Sequence, residues 1–276
     1  MLYLRSFTFP SQERESFNFH GARRQCYNTV YPFGVLCRFD PTLLTMDAVT
    51  ILYGGNGSGK STMLNVMADK LALTRDARYN RSTFFEEYVA LCDAEVQGNL
   101  PPESRIITSD DVFDYMLNLR ALNEGIDAQR EDMFRQYAAD RQVTQAFRTM
   151  ARRSTQSAYV RKQMGGNIRE QSNGESAMFC FTSRIGDGGL YLLDEPENSL
   201  SPERQLELMQ FLEDSARFYG CQFIIATHSP FLLAMRGARI YDLDADPVVR
   251  RKWTELPAVR TYFDFFASHA DDFRGE

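Results

Sequence analysis

The sequence predicts an α/β fold: a mainly parallel sheet flanked by helices, with antiparallel strands at the N-terminus and an inserted helical lobe. Three observations carry this. Short apolar runs at 48–53 (AVTILY), 189–193 (GLYLL) and 222–226 (QFIIA) have the length and continuity of strands buried on both faces. Apolar residues at helical spacing follow the first run (Met63, Leu64, Met67, Ala68, Leu71) and separate the second from the third (Leu206, Leu208, Met209, Phe211, Leu212). Strands alternating with helices need crossover connections, and crossovers give parallel pairing. Lastly, residues 74–165 change character, being polar and rich in Arg, Asp and Gln.

In chain order, 2–9 alternates loosely and predicts a first strand. Tyr31-Pro32-Phe33-Gly34 predicts a turn, and 35–39 a second strand. The strand at 48–53 leads through a glycine-rich loop into a helix from Ser61. The lobe at 74–165 reads as mostly helical, with Met133, Tyr137, Phe147 and Met150 as an apolar stripe and Pro101-Pro102 as a break. The core resumes near 166: a helix over 176–184, the strand at 189–193, an amphipathic helix over 202–218, the strand at 222–226 and a last strand over 239–243. One domain is expected, with its core in 1–73 and about 166–276.

The 276 residues carry a formal net charge of −6, which argues against wholesale coating of nucleic acid. Five cysteines (Cys26, Cys37, Cys92, Cys180, Cys221) form no CxxC pair, as expected of free thiols in a reducing compartment. The N-terminus has early charge and no signal-like apolar stretch, and no apolar run is long enough to span a bilayer. A cytoplasmic protein without membrane contact is the expectation.

Chemistry concentrates in four short segments. Gly54-Gly55-Asn56-Gly57-Ser58-Gly59-Lys60-Ser61 matches GxxxxGK[ST] between a strand and a helix. A backbone that wraps a phosphate and points its N–H groups inward needs positions without a Cβ, and the helix N-terminus adds positive potential on the same anion. Gly55 to Thr62 are therefore candidate nucleotide contacts, with Lys60 on the β- and γ-phosphates and Ser61 on Mg²⁺. The run LYLLDE places Asp194 and Glu195 at the carboxyl end of a buried strand, where open α/β sheets bind ligands. Asp194 is the second metal candidate, and Glu195 the candidate base for an attacking water. His228, in ATHSP after another strand, is a candidate for the γ-phosphate or the water. QSNGES opens a helix 22 residues before Asp194; its Ser172, Gly174 and Glu175 form a second anion-receptive helix start.

In this order, GGNGSGKS, QSNGES, LYLLDEPENSLSP and ATHSP resemble the ATPase heads of the ATP-binding cassette superfamily. They stand for the Walker A loop, the signature, Walker B with its D-loop, and the switch histidine. The wording is more similar to SMC-, RecF- and AAA_21-type ATPases, including small stand-alone bacterial AAA-family ATPases, than to transporter cassettes. The resemblance covers the N-terminal strands, 48–72 and roughly 165–245, and is weak across the lobe. It implies ATP and Mg²⁺ as ligands and a head-to-tail homodimer in which Ser172 and Gly174 of one copy cap ATP held by the other, with Ser199, Leu200 and Ser201 at the interface. Two departures stand out. Asn173 replaces the usual middle glycine of the signature, and Asp110 or Asp111 stands where a glutamine is expected, Gln97 fitting poorly. The adenine-stacking aromatic is unassigned among Tyr27, Tyr31 and Phe33.

Between Arg141 and Arg169 lie seven basic residues and no acid (Arg141, Arg148, Arg152, Arg153, Arg161, Lys162, Arg169), interleaved with Phe147 and Tyr159. This stretch reads either as a surface for nucleic acid or an acidic effector, or as a solvated helix face. The expected function is Mg²⁺-dependent ATP hydrolysis that drives a separate partner, with DNA repair or phage defence suggested by family analogy alone. The alternatives are a non-catalytic ATP-dependent dimerisation switch, a transporter cassette and a small-molecule kinase.

Overall fold

A computed structural model of the chain describes residues 2–19, 29–37, 43–118 and 173–274. In chain order the elements are β1 (Leu4–Thr8), α1 (Gln12–Phe19), β2 (Leu43–Thr45), β3 (Val49–Tyr53), α2 (Lys60–Lys70), α3 (Phe85–Leu91), β4 (Asp93–Val96) and β5 (Arg105–Thr108). A helix α4 covers residues 109–118. Then follow α5 (Asn173–Arg184), β6 (Gly189–Asp194), α6 (Pro202–Phe218), β7 (Cys221–Ala226), α7 (Pro230–Leu233), β8 (Arg239–Asp242), β9 (Val249–Arg251) and α8 (Pro257–Ser268).

The main sheet has the order β5-β6-β7-β3-β8-β9. Its first five strands run parallel, and β9 closes the edge antiparallel to β8. A smaller antiparallel sheet has the order β2-β1-β4. The strands of the main sheet sort their side chains by alternation. Leu52, Leu190, Leu192, Ile224 and Ala226 face one core with α2, α3 and the small sheet, while Ile51, Tyr191, Leu193, Phe223 and Ile225 face the other with α5, α6 and α7. Wedged between the sheets, α2 is buried nearly all round, from Thr62 to Ala68. That explains why its apolar pattern is not a single stripe.

Gln222, fully buried in β7, fastens the two sheets together. Its side-chain oxygen accepts from the Tyr3 and Leu4 amides (both 2.8 Å), and its nitrogen donates to the carbonyls of Leu4 (2.8 Å) and Asp47 (3.2 Å).

Two local expectations are corrected. The predicted strand at 35–39 is a turn at residues 35–37, the remainder lying outside the described residues. The amides of residues 33–35 find local partners instead of a ladder: Phe33 donates to Val30, Val35 to Pro32, and Gly34 to the buried Glu15 carboxylate. Residues 74–118, read as the first part of a mostly helical lobe, contain β4, which pairs with β1, and β5, which edges the main sheet. Ile106 and Ile107 of β5 are buried in opposite cores, which holds this segment in the sheet despite its polar flanks. The rest of the lobe, including the Met133–Met150 stripe and the basic stretch 141–169, lies outside the described residues, as do Cys26, Tyr27 and Ser172.

Candidate active site at the carboxyl edge of the sheet

The parallel register brings three strand ends to one level. Asp194, last in β6, pairs with Ala226, last in β7, and Leu52 of β3 pairs with Ala226 from the other side. The loops after β3, β6 and β7 therefore open side by side.

The loop after β3 folds as a phosphate-sized turn. A Cβ on Gly54 would lie 2.6 Å from Ser58 Oγ, and Gly59 caps α2 with φ 96°, so neither position tolerates a side chain without strain. Asp244, two residues beyond β8, accepts from the Gly55 amide at 2.8 Å and anchors the loop from the far side. Lys60 is 4% exposed. Its ammonium donates to the carbonyls of Gly54 (2.6 Å) and Gly55 (3.0 Å) and lies 3.7 Å from Glu195 Oε1. These partners hold the ammonium at the mouth of the loop, where phosphates would arrive.

Ser61 Oγ donates to Asp194 Oδ1 at 3.0 Å, joining the first turn of α2 to the end of β6. Burial pushes the Asp194 carboxyl up to about 6, with the nearby Glu195 charge adding to it and the Ser61 hydrogen bond and Lys60 opposing it. A hydroxyl and a carboxylate at this separation are hard oxygen donors suited to Mg²⁺, which takes few protein ligands and fills its octahedron with water and phosphate oxygens. The chemistry of this donor pair therefore fits the ion. Among the described residues no cluster of three or more His, Cys, Asp or Glu forms a closed metal cage.

Glu195 follows with φ 48°, a left-handed conformation rare for a side-chain-bearing residue. Its amide donates to the Ala226 carbonyl (2.9 Å), and its Oε2 accepts from Asn198 Nδ2 (3.0 Å). The strained turn aims the carboxylate back over the loop, with Oε1 between Lys60 and His228, 3.9 Å from the latter's Nδ1. His228 is half exposed and rides on the turn after β7.

Lys60, Ser61, Asp194, Glu195 and His228, named from separate stretches of sequence, thus form one cluster. Gly174 and Glu175 sit in the first turn of α5, where Glu175 pairs with Arg204 of α6 at 3.2 Å. None of the described hydrogen bonds joins Gly174 to the phosphate loop. Asp111 is buried beneath the end of β5, accepting from the Ala77 amide (2.5 Å) and from the Thr108 amide and hydroxyl (2.7 and 2.8 Å). With both oxygens taken, it is a structural tie, while Asp110 beside it is exposed. Tyr31 donates to Thr62 Oγ1 at 3.2 Å, beside the loop, whereas Phe33 packs edge-on to Tyr88 in the core. Sequence reasoning passed over Asp244, whose approach to Gly55 has no spacing signature, and Glu197, which stands inside LYLLDEPENSLSP with no role assigned to it.

A family model described as "ABC transporter" matches residues 43–198. Another, described as "AAA domain … Type IV TA system", matches 167–234. Molybdenum import ATP-binding protein ModC of Brucella suis biovar 1 is 29% identical over 176 residues, covering 60% of this chain and 42% of that protein. ModC of Brucella melitensis biotype 1 aligns with the same figures. The alignment thus spans about two fifths of the length of these curated relatives. Among solved structures, the dimeric post-hydrolysis ATP-binding cassette MJ0796 bound to ADP and Pi is 15% identical, with a TM-score of 0.39 over 78% of this chain and 90% of that one. The Smc head domain of Pyrococcus furiosus, with an extended coiled coil and bound to the C-terminal domain of ScpA, is 12% identical, with a TM-score of 0.42 over 81% of this chain and 94% of that one.

Proposed function

The chain belongs to the ATP-binding cassette family of ATPases, and from that membership we propose that it closes as a head-to-tail homodimer around ATP and transmits the cycle of hydrolysis to a separate partner. The observation that carries the reading is the convergence of Lys60, Ser61, Asp194, Glu195 and His228 from three strand ends, each within about 4 Å of another member.

Each group has a distinct task. The loop amides and Lys60 cradle the β- and γ-phosphates and offset the charge that builds on them. Ser61 and Asp194 would hold Mg²⁺, which would supply charge neutralisation to the phosphates. Glu195 takes the proton of a water aligned with the γ-phosphate, and Asn198 keeps its carboxylate from swinging away. His228 donates to the γ-phosphate or orients the water. Ser172 and Gly174 come from the second copy, so that Gly55 to Thr62 make half of a site and the facing signature makes the other half.

Measured phosphate release tests this. Wild type is expected to hydrolyse Mg·ATP at least 100-fold faster than Glu195→Gln, with nucleotide affinity retained. Equal rates would leave the non-catalytic switch in its place, and transfer of phosphate to an acceptor would point to a kinase.

The partner is proposed to be DNA or an effector protein, met through the basic stretch 141–169. A defence role draws on the toxin-antitoxin wording of the shorter family match, and a repair role on family analogy alone. The ModC relatives favour a second reading, a transporter cassette. Among the described residues no helix is long and apolar enough to cross a membrane, so that reading requires a separate membrane subunit. Its recovery with the tagged chain would select the second reading.

A further inference from the structure

The buried carboxylate of Glu197 has no task in the scheme above. It lies in the turn after Glu195 and is 6% exposed. Its Oε1 accepts from Thr227 Oγ1 (2.6 Å), the His228 amide (3.0 Å) and the Ser229 amide (3.2 Å), gripping the whole turn that carries His228. The same oxygen lies 3.6 Å from His228 Nδ1. The other oxygen, Oε2, is buried with no hydrogen-bond partner. A neutral glutamine would make the same three acceptor contacts without burying a charge. The carboxylate therefore carries a cost that backbone anchoring does not require. The feature that a charge serves and an amide does not is the imidazole beside it.

We propose that Glu197 is a positioning residue for ATP hydrolysis: its carboxylate, 3.6 Å from His228 Nδ1 and so acting by charge rather than through a hydrogen bond, favours the proton on that nitrogen, anchors the turn that carries the ring, and leaves Nε2 for the γ-phosphate. The logic is that of a carboxylate orienting a catalytic imidazole. His228 needs such a hold because its ring is half exposed and, among the described residues, the acids within 4 Å of its Nδ1 are Glu195 and Glu197. A second tie reinforces the turn: Ser229 Oγ donates to Gln205 Oε1 (2.6 Å), and Gln205 Nε2 donates to the Leu200 carbonyl (3.0 Å). Residues 197–201, where the second copy is expected to bear, and the His228 turn are therefore tied directly to each other.

The inference rests on the ATPase reading, and the experiment separates their failures. Phosphate release and nucleotide affinity are measured for wild type, Glu197→Gln, His228→Ala and the double variant, with thermal midpoints as a folding control. Glu197→Gln is expected to keep affinity and thermal midpoint near wild type while kcat falls at least tenfold. In the His228→Ala background the same change is expected to add less than twofold, because the residue acts through the ring. Wild-type kcat in Glu197→Gln, or losses that multiply in the double variant, would overturn the proposal. An inactive wild type would instead remove the ATPase reading itself. Should Glu197→Gln fold poorly, Glu197→Asp replaces it: the charge is kept but drawn back from Nδ1, and reduced kcat that is again absorbed by His228→Ala is the supporting result, with unchanged kcat the opposing one.

Discussion

At the scale of single residues, this site is built from charges that water would ordinarily cover. Lys60 and Glu197 are buried and Asp194 half-buried, and each is held by partners a few residues or a strand away. Asp194 illustrates the consequence. Its carboxyl stands at about 6 against an ordinary value of 3.8, chiefly through burial. Between those values the folded chain binds more protons than the unfolded one, so stability falls as pH rises through that window. The ligand-free protein therefore gains from Asp194→Asn only above it. The variant's thermal midpoint is expected to match wild type near pH 4 and to exceed it by pH 7.5, the full effect being at most about 3 kcal/mol. Melting curves across pH check this, and a difference that does not grow with pH counts against it. Mg·ATP should abolish the advantage, since the wild-type carboxylate then has its cation.

Secondary-structure elements decide which of these residues meet. The phosphate loop exists because β3 ends, α2 begins, and Gly54 and Gly59 fit conformations that side chains resist. This much was legible in GGNGSGKS, since the constraint is local. The contact between β1 and β7 was not legible. Gln222 reads as one polar residue in an apolar strand, yet it makes four hydrogen bonds to residues more than 170 positions away. Its replacement by alanine leaves the Tyr3 and Leu4 amides and two carbonyls buried without partners. A loss of roughly 3 kcal/mol is expected for Gln222→Ala, read from urea or thermal unfolding. A loss under ~1 kcal/mol would mean that water or repacking replaces those bonds. Residues 35–37 and 93–108 were misjudged for a related reason: short segments take strand or turn form according to the partner that pairs with them, and pairing is not written in the segment.

On the scale of the whole molecule, the carboxyl edge gathers the proposed phosphate and metal ligands of one copy, with the signature half of the site expected from another. Glu175 is engaged with Arg204 on its own chain, and α5 packs on α6 rather than over the loop. A second copy is the proposed cover. Glu195→Gln with Mg·ATP is expected to run at dimer mass in light scattering, while Lys60→Ala with the same ligand stays at monomer mass. Monomer mass for both would count against the closed dimer. The dimer model also places Glu197 at a junction, since the 197–201 turn that the partner would press upon is tied to His228.

The sequence by itself determined the local chemistry: a glycine-rich loop with lysine and serine, two acids at the end of an apolar run, and a histidine after another. Those signals survive because each depends on neighbours a few residues apart. The tertiary structure decided the rest. The strand order sets β7 between β6 and β3, and this alone brings Glu195 to 3.7 Å from Lys60 and 3.9 Å from His228. It also turned Glu197 inward beneath that histidine, and laid Asp244 against Gly55. Such pairings depend on register and burial between distant segments, for which no spacing along the chain is diagnostic.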